Sequence, residues 1–549
     1  MLTRRGRATA VLVAGALALG MSACGSGGDD GDAEVTDDQR VGAMDDFAVG
    51  DQFTATEPIE LSMLYRDHPD YPYQEDWLLV TELAERTNVT LDMTFAPLDG
   101  FEQRRSLLIS GGDAPDIMPV AYGGQETPFV ASGALLPVSD YFDLMPNFSA
   151  KVAEYGLEEW LDTQRQEDGK IYLLPGLMEF VRPDYTVALR TDILDELGLE
   201  MPTSWDELRD VLAAMKAAYP AVTPMTDRFE GKLLLNNTAA ATFGFPGAPS
   251  GYSGNAATWD EEAGEYVYTA ARPEFKEMLE YFHGLVADGL LDPETFTQDD
   301  DQAVNKFVSG QAFAITGNSQ FMTQYRTSMD ETLGAGTYSI AKMPIPTGPA
   351  GDVMGGRPIE SGMMLSADAA DNDTFVAMMQ FIDWLYYSDE GLEFTTWGVE
   401  GTTFEKDADG VRSFTEDVDF LSLNPGASTN LRTDYGFFNG VFMLTQGTTE
   451  DLMNSMLPDD ERAWREQMVQ TKEVLPPPPP APMNELDLEQ VALWQSALGD
   501  YADQNTLQFI LGTRDLAEFD DFVAELDGKG MTQYIDKVNE AQRAFAESS

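Results

Sequence analysis

The chain has 549 residues, which exceeds one ordinary domain, and 43% of them are hydrophobic, enough to build a buried core. Its 95 acidic residues far outnumber its 33 lysines and arginines. Such a surface repels the phosphate backbone, so no nucleic acid is expected as a partner. The two histidines form no cluster, and the sequence has no phosphate-loop motif. The histidine-based zinc sites and catalytic triads of the common hydrolases are therefore not expected.

The chain begins with the organisation of a secretory signal peptide over residues 1–23. Three arginines precede a run of small apolar residues too short to span a bilayer, and Ser22 and Ala23 stand just before Cys24. This arrangement resembles the bacterial lipobox, so we expect cleavage before Cys24 and a lipid on its thiol. The protein would then be anchored by that lipid on the extracellular face of the cell membrane. An uncleaved membrane anchor is the alternative.

Cys24 is also the only cysteine in the chain, which excludes disulfides and cysteine-ligated metal sites. Residues 24–56 are rich in glycine, serine and aspartate and have very few aromatic side chains. This composition predicts a disordered, charged tether between the lipid and the folded part of the chain.

Order is predicted to begin at Ile59, from which apolar residues alternate up to Tyr65 as on a strand. A loop, a helix and a second strand that ends near Phe95 follow. A further helix and a glycine-rich turn then precede a third short strand. This alternation predicts an α/β sheet, in which ligands bind at the carboxyl ends of the strands.

The middle of the chain continues the α/β pattern. Ser204 and Glu207 have the spacing of a capping box and predict the start of a helix. Residues 312–316 predict a strand, and residues 374–387 predict a long amphipathic helix. The proline run at 476–480 predicts a stiff polyproline segment, interpreted as a strap over the surface, with three helices after it.

Several short motifs resemble the extracellular solute-binding proteins of ABC sugar importers, the class that includes maltose-binding protein. They occur in the same order and at the same spacings as in that class, at residues 112–117, 131–137, 168–175 and 189–208. The length of the chain and residues 288–294, 398–401 and 511–539 are similar to the long oligosaccharide-binding lipoproteins, which include an alginate-binding relative.

The resemblance implies an α/β, two-lobed type II periplasmic-binding-protein fold with crossing hinge strands and a helical C-terminal extension. It implies that residues 57–180 with about 341–390 form lobe 1, and about 181–340 with 391–549 form lobe 2. The implied function is capture of an oligosaccharide by closure of the lobes and its delivery to ABC permease subunits, by a monomer without cofactor. Relatives often carry a calcium loop where this chain has residues 220–227, but its ligand pattern is missing, so no metal is expected there.

Candidate ligand-binding residues follow the predicted strand ends and the matched motifs. Glu179 matches an acidic hinge-edge position of the relatives, and Trp397 lies in a segment that resembles a cleft-lining one, where its ring is the expected platform for a sugar face. Arg357 is expected either to contact the ligand or to pair with an acid. The candidates are Arg66, Asp67, Tyr122, Gln125, Glu179, Asn318, Ser319, Arg357 and Trp397.

Two other functions suit a bilobal scaffold. A secreted glycoside-acting enzyme needs two carboxylates that face a sugar across about 5–9.5 Å, and Asp67 with Glu179 is the pair that the sequence offers. A surface sensory or adhesion protein binds a sugar without transporting it. No catalytic residue is predicted for the transport function.

Overall fold

The computed structural model describes residues 35–246, 256–421, 423–444 and 449–548. The signal peptide, Cys24 and the first part of the predicted tether lie outside the described residues. Buried apolar side chains form two large clusters, one drawn from residues 43–177 and 359–456, the other from residues 187–343 and 491–538. The chain therefore builds two cores and passes between them more than once.

A five-stranded sheet carries the first core. Its first three strands in the chain are parallel, and the later strand Ile359–Leu365 runs antiparallel to both of its neighbours. Because the first three are parallel, their carboxyl ends Asp67, Pro97 and Ala121 lie at one edge of the sheet. In spatial order the strands are Val89–Pro97, Ile59–Asp67, Ile117–Ala121, Ile359–Leu365 and Leu174–Leu177.

A three-stranded antiparallel sheet carries the second core. All five residues of its middle strand Thr186–Arg190 are buried, and that strand pairs with Ala314–Gly317 and with Ile340–Lys342. The predicted helix start at Ser204 is confirmed, because Ser204 Oγ accepts the Glu207 N–H and opens the helix Trp205–Ala218. The residues that this helix buries are Trp205, Leu208, Val211, Leu212 and Met215, as their spacing predicted.

Helices cover both sheets and form the C-terminal part of the chain, and short strand pairs lie outside the sheets. The strand pairs are Ala257–Asp260 with Glu265–Tyr268, Phe404–Lys406 with Arg412–Phe414, Val418–Asp419 with Thr429–Asn430, and Val353–Met354 with Glu473–Val474. The α-helices are Leu78–Thr87, Phe101–Gly111, Thr127–Val130, Pro146–Tyr155, Glu158–Asp162, Thr191–Leu197, Trp205–Ala218, Pro273–Ala287, Asp300–Val308, Ser319–Thr332, Phe375–Tyr387, Asp389–Trp397, Glu450–Ser455, Asp459–Thr471, Glu485–Ile510, Phe519–Asp527 and Met531–Ser548. Within the ranges described, no helix has the length and apolar character needed to cross a membrane.

Residues 35–56, which the composition assigned to the disordered tether, pack against the first core. Phe53 is fully buried, and its ring meets that of Phe381 edge-on at 6.2 Å. The Met44 N–H donates to Gln380 Oε1 at 2.9 Å, and Gln380 Nε2 donates to the Met44 carbonyl at 3.0 Å. A few apolar anchors therefore outweigh the polar composition of this segment, and the predicted tether does not extend over it.

The segment after residue 390 also differs from the expected division of the lobes. Buried side chains between Leu392 and Met456 belong to the first core. Trp77 Nε1 donates to the Thr433 carbonyl at 3.0 Å, and Tyr386 Oη donates to the Val441 carbonyl at 2.9 Å. We therefore propose that the first lobe comprises 35–177 and 359–456, and that the second lobe comprises 187–343 and 475–548.

The helix Phe375–Tyr387 was expected to be amphipathic, but all of its residues are buried. It crosses the first core, where Asp383 is its one carboxylate. That carboxylate accepts the backbone N–H groups of Asn147 and Phe148 at 2.9 and 2.8 Å, and the Asn147 amide at 2.8 Å. A polar residue is tolerated in this core because the first turn of the helix Pro146–Tyr155 satisfies it.

A further small cluster lies where the chain passes between the two cores. It contains Val181, Ile345, Met354, Trp464 and Met468. Beside it, Lys342 Nζ lies 2.8 Å from Glu461 Oε1 and 3.3 Å from the centre of the Trp464 ring. Burial lowers the pKa of Lys342 to about 8. This hinge cluster is much smaller than either core, so it resists relative motion of the lobes less than the cores resist deformation.

Candidate ligand-binding cleft

The carboxyl end of the first strand carries the first pair of predicted residues, Arg66 and Asp67, just before a loop. Arg66 is half-buried, with its guanidinium 5.9 Å from the centre of the Phe101 ring. Asp67 Oδ1 accepts the Tyr73 N–H at 3.0 Å and so closes the loop between them. Within the loop, the rings of His68 and Tyr71 stack at 4.3 Å and 4°. One oxygen of Asp67 therefore has a structural role, whereas Arg66 stands at the sheet edge where ligands bind.

Arg432, which the sequence did not single out, lies beside the same loop. Its guanidinium carbon is 4.9 Å from the Tyr71 ring centre, 4.8 Å from that of Phe420 and 5.2 Å from that of Phe438. Arg432 Nε also donates to the Phe438 carbonyl at 2.9 Å. Tyr71 is thus packed against Arg432, a residue far along the chain, and no short sequence motif predicts this contact.

The loop after the third strand carries Tyr122 and Gln125. Tyr122 is 40% exposed and therefore accessible to a ligand. Gln125 Oε1 accepts from Arg105 Nη2 at 2.5 Å and from the Tyr122 N–H at 3.0 Å, and Gln125 Nε2 donates to Glu102 at 2.9 Å. Both ends of the Gln125 amide are engaged, so its role is to shape the loop that presents Tyr122.

A buried acid follows in this loop. Glu126 is 1% exposed, and its Oε1 accepts from Gln166 Nε2 at 2.9 Å. Its Oε2 has no hydrogen-bond partner among the described residues, and burial raises the pKa of the Glu126 carboxyl. Glu126 therefore ties the end of this loop to Gln166.

In the second lobe, Asn318 and Ser319 follow the strand Ala314–Gly317, as predicted. Asn318 is the N-cap of the helix Ser319–Thr332, because its Oδ1 accepts the Phe321 N–H at 2.9 Å. Its Nδ2 lies 3.5 Å from Asp184 Oδ2, and Ser319 is half-buried as the first helical residue. The amide of Asn318 is thus largely committed to capping, and Ser319 keeps a hydroxyl near the strand end.

An aromatic pair that the sequence did not reveal lies at this strand end. The half-buried rings of Phe229 and Phe321 stack at 6.1 Å and 19°. Arg228 places its guanidinium 3.9 Å from the centre of the Phe321 ring, and Tyr185 meets Phe321 at 6.2 Å. The two partly exposed phenyl rings are surfaces on which sugar C–H faces stack. The Arg228 guanidinium is buried behind them and lies 3.4 Å from Asp300 Oδ2.

Buried Asp227 fixes the backbone that carries Phe229. Its Oδ2 accepts the Leu234 N–H at 3.0 Å, and its Oδ1 accepts from the side chain and N–H of Thr316. Phe229 and Glu230 have φ of 50° and 56°, in the left-handed region that side chains with a Cβ rarely adopt. Asp227 thus joins this strained bend to the strand Ala314–Gly317. Burial raises the pKa of Asp227 to about 6.

The remaining candidates lie near the hinge or in the core. Glu179 Oε2 accepts the Glu450 N–H at 2.6 Å and lines a cavity of about 530 Å³ with Arg412, Asp451 and Arg462. Arg357 is exposed and makes no ion pair with any described residue. Asp67, the other carboxylate of the enzyme alternative, is not among the described residues that line the Glu179 cavity.

Trp397 does not form the expected stacking platform. It is 1% exposed, and its ring packs against Phe414 at 4.7 Å and Phe404 at 5.8 Å. Trp397 Nε1 donates to Ser455 Oγ at 2.9 Å. The ring therefore belongs to the first core, where burial of its apolar surface stabilises the fold.

A family model described as bacterial extracellular solute-binding protein matches residues 73–391, more than half of the chain. The chain belongs to this family. The predicted two-lobed α/β fold and the family resemblance are confirmed. As a member of an extracellular family, the protein acts outside the cell by binding a solute.

Individual relatives of this solute-binding protein agree with the assignment. It is similar to the fructooligosaccharide ABC transporter substrate-binding protein FusA of Streptococcus pneumoniae, with 25% identity over 96% of both chains. An HMO-binding, ABC-transporter-associated solute-binding protein from Bifidobacterium longum infantis shares the fold, with a TM-score of 0.66, 18% identity and coverage of 89% of this chain and 99% of that one. The alginate-binding protein AlgQ2 does so with a TM-score of 0.63, 19% identity and coverage of 90% and 99%.

Proposed function

We propose that this solute-binding protein captures an oligosaccharide outside the cell and hands it to an ABC permease. The observation that carries the proposal is the pair of strand-end clusters, one in each lobe. The first holds Arg66 and Tyr122, and the second holds Phe229, Phe321 and Ser319. The likeness of the whole chain to a fructooligosaccharide-binding relative supports a sugar as the solute.

Closure of the lobes follows from this arrangement. A sugar that contacts both clusters gains all of its interactions only when the lobes approach, so binding favours the closed state over the open one. The hinge cluster of Val181, Ile345 and Trp464 is the place where the chain bends. A permease that recognises the closed form then receives loaded protein in preference to empty protein.

Calorimetry of the mature protein against neutral tri- to hexasaccharides tests the proposal. We expect saturable binding and recovery of the sugar unchanged by chromatography, whereas product formation would show an enzyme. Phe321→Ala should weaken binding about twofold to tenfold, since one aromatic face contributes about 0.5–1.5 kcal/mol. Arg66→Gln should also weaken it, and Arg104→Gln, an exposed arginine of the helix Phe101–Gly111, is the matched control. Failure to bind any sugar would overturn the proposal.

Lipid anchoring and transport form a second part of the proposal. The lone Cys24 after small residues supports acylation, and a monomer on a lipid anchor suffices to serve a permease. Cys24→Ala should release the protein from membranes into the medium. Light scattering of the mature chain should give the mass of one chain. Loss of oligosaccharide uptake on deletion would distinguish transport from sensing or adhesion.

A further inference from the structure

A groove of about 740 Å³ lies between the two lobes, and no residue of the strand-end clusters is among the described residues that line it. On the first-lobe side it is bounded by Gly124, in the loop that carries Tyr122 and Gln125, and by Thr127 and Pro128, which begin the helix after that loop. On the other side it is bounded by the proline strap and the C-terminal helices. Its volume falls within the range of small-molecule sites, about 300–1,000 Å³.

The second-lobe wall of the groove is built before any ligand arrives. Tyr266 Oη donates to the Pro479 carbonyl and so ties the strap to the strand Glu265–Tyr268. The Tyr266 N–H donates to Asn539 Oδ1 at 2.7 Å, and Asn539 Nδ2 donates to the Tyr266 carbonyl at 2.9 Å. This reciprocal pair joins the same strand to the helix Met531–Ser548. Because three hydrogen bonds already hold this wall, it loses little conformational entropy when a ligand binds.

The chemistry of the lining selects the kind of occupant. Tyr266, Tyr534, Val491 and Leu488 offer aromatic and aliphatic faces, and Gln495 offers an amide. The charged groups are the carboxylates of Glu485 and Glu489, and no lysine or arginine occurs among the described residues that line the groove. Carboxylates accept hydrogen bonds from hydroxyls and repel anions, so the lining suits a neutral sugar and disfavours a uronate.

We infer that this groove is an extension subsite that holds the far end of a neutral oligosaccharide whose other end lies between the strand-end clusters. The inference rests on the function proposed above. The occupant follows from continuity, because one short segment, residues 121–128, forms both the cleft edge at Tyr122 and the groove wall at Thr127. The proline strap thereby gains a role, since it forms the outer wall of a binding site for long ligands.

The test compares chain lengths in three neutral series, the α-glucans, β-glucans and fructans, each as a trisaccharide and a hexasaccharide. In the series that binds, we expect wild-type protein to bind the hexasaccharide at least tenfold more tightly than the trisaccharide. Ala492→Arg fills the groove from an exposed helix position and should abolish this advantage while leaving trisaccharide affinity within twofold. Ala497→Arg, exposed on the same helix outside the groove, is the matched control and should retain the advantage.

The other possible results would refute the subsite, its neutral occupant or the proposed function separately. Equal wild-type affinity for the two lengths, or a hexasaccharide advantage that survives Ala492→Arg, refutes the extension subsite and leaves the proposed function intact. Tighter binding of hexagalacturonate than of every neutral hexasaccharide refutes the neutral occupant. Absence of binding to every sugar in the panel refutes the proposed function itself. Thermal denaturation of both arginine variants establishes that the helix Glu485–Ile510 remains folded.

Discussion

Arg105 Nη1 donates a hydrogen bond of 2.7 Å to the carbonyl oxygen of Val120, whose φ of 61° lies in the left-handed region. A β-branched residue rarely adopts this conformation, which costs of order 1–3 kcal/mol. Arg105 is 2% exposed and also holds Gln125, so one guanidinium fixes both the strained strand end and the loop after it. Arg105 thereby positions Tyr122.

Arg105→Met should therefore lower both stability and ligand affinity. Loss of its hydrogen bonds leaves the Val120 carbonyl and Gln125 without their donor, which should cost about 2 kcal/mol in the free energy of unfolding. Calorimetry should show weaker binding, and the further loss should disappear in a Tyr122→Ala background because Arg105 acts through that loop. Arg104→Met on the same helix is the control. Equal affinity losses in both backgrounds would contradict the positioning role.

Trp397→Ala should act on stability. Removal of a large buried ring should lower the free energy of unfolding by about 3–5 kcal/mol, measured by urea denaturation. Ser455→Ala, which removes the partner of the indole N–H, should cost about 1 kcal/mol. Both variants should bind ligand normally at temperatures where they are folded. Loss of affinity with unchanged stability would instead show that Trp397 contacts the ligand in the cleft.

The hinge ion pair should show strong coupling between its partners. Glu461→Leu leaves Lys342 and Arg465 without their nearest carboxylate and should cost about 3–5 kcal/mol. The double variant Lys342→Met with Glu461→Leu should lose less than the sum of the single losses, because fewer charges stay buried unpaired. A double-mutant cycle in urea measures the coupling. Strict additivity would show that the pair contributes nothing.

Stability should rise as the pH falls from 7.5 towards 5. Burial raises the pKa of Asp227 and of Asp383 to about 6, whereas an unfolded aspartate titrates near 3.9. The folded chain therefore holds protons that the unfolded chain has released, and this stabilisation is fully present below about pH 4 and is lost as the pH rises through 6. Each carboxyl contributes at most about 2–3 kcal/mol.

Melting temperatures across this pH range at constant ionic strength check the sign. Asp227→Asn removes one of the titrating carboxyls and should flatten the profile while lowering stability overall. A melting temperature that falls from pH 7.5 to pH 5 would contradict the assignment of raised pKa values to these two residues.

Local sequence patterns determined much of this protein. Strand alternation placed Arg66 and Asp67 at a sheet edge, and the Ser204 cap predicted both the start of a helix and its buried face, because these features depend on residues a few positions apart. Ordered motifs identified the family and hence the two-lobed fold. The lipid on Cys24 stays a prediction from the sequence alone.

Tertiary structure decided which side chains are available to a ligand. Trp397 lies in the core, Gln125 is committed to Arg105, and Phe229 meets Phe321 across segments that are far apart in the chain. Residues 35–56 look like a tether by composition and yet pack on the first core. The physical reason is that burial is collective: the hydrophobic effect has no direction, so whether a ring faces a core or a cleft depends on every neighbour that the fold brings to it.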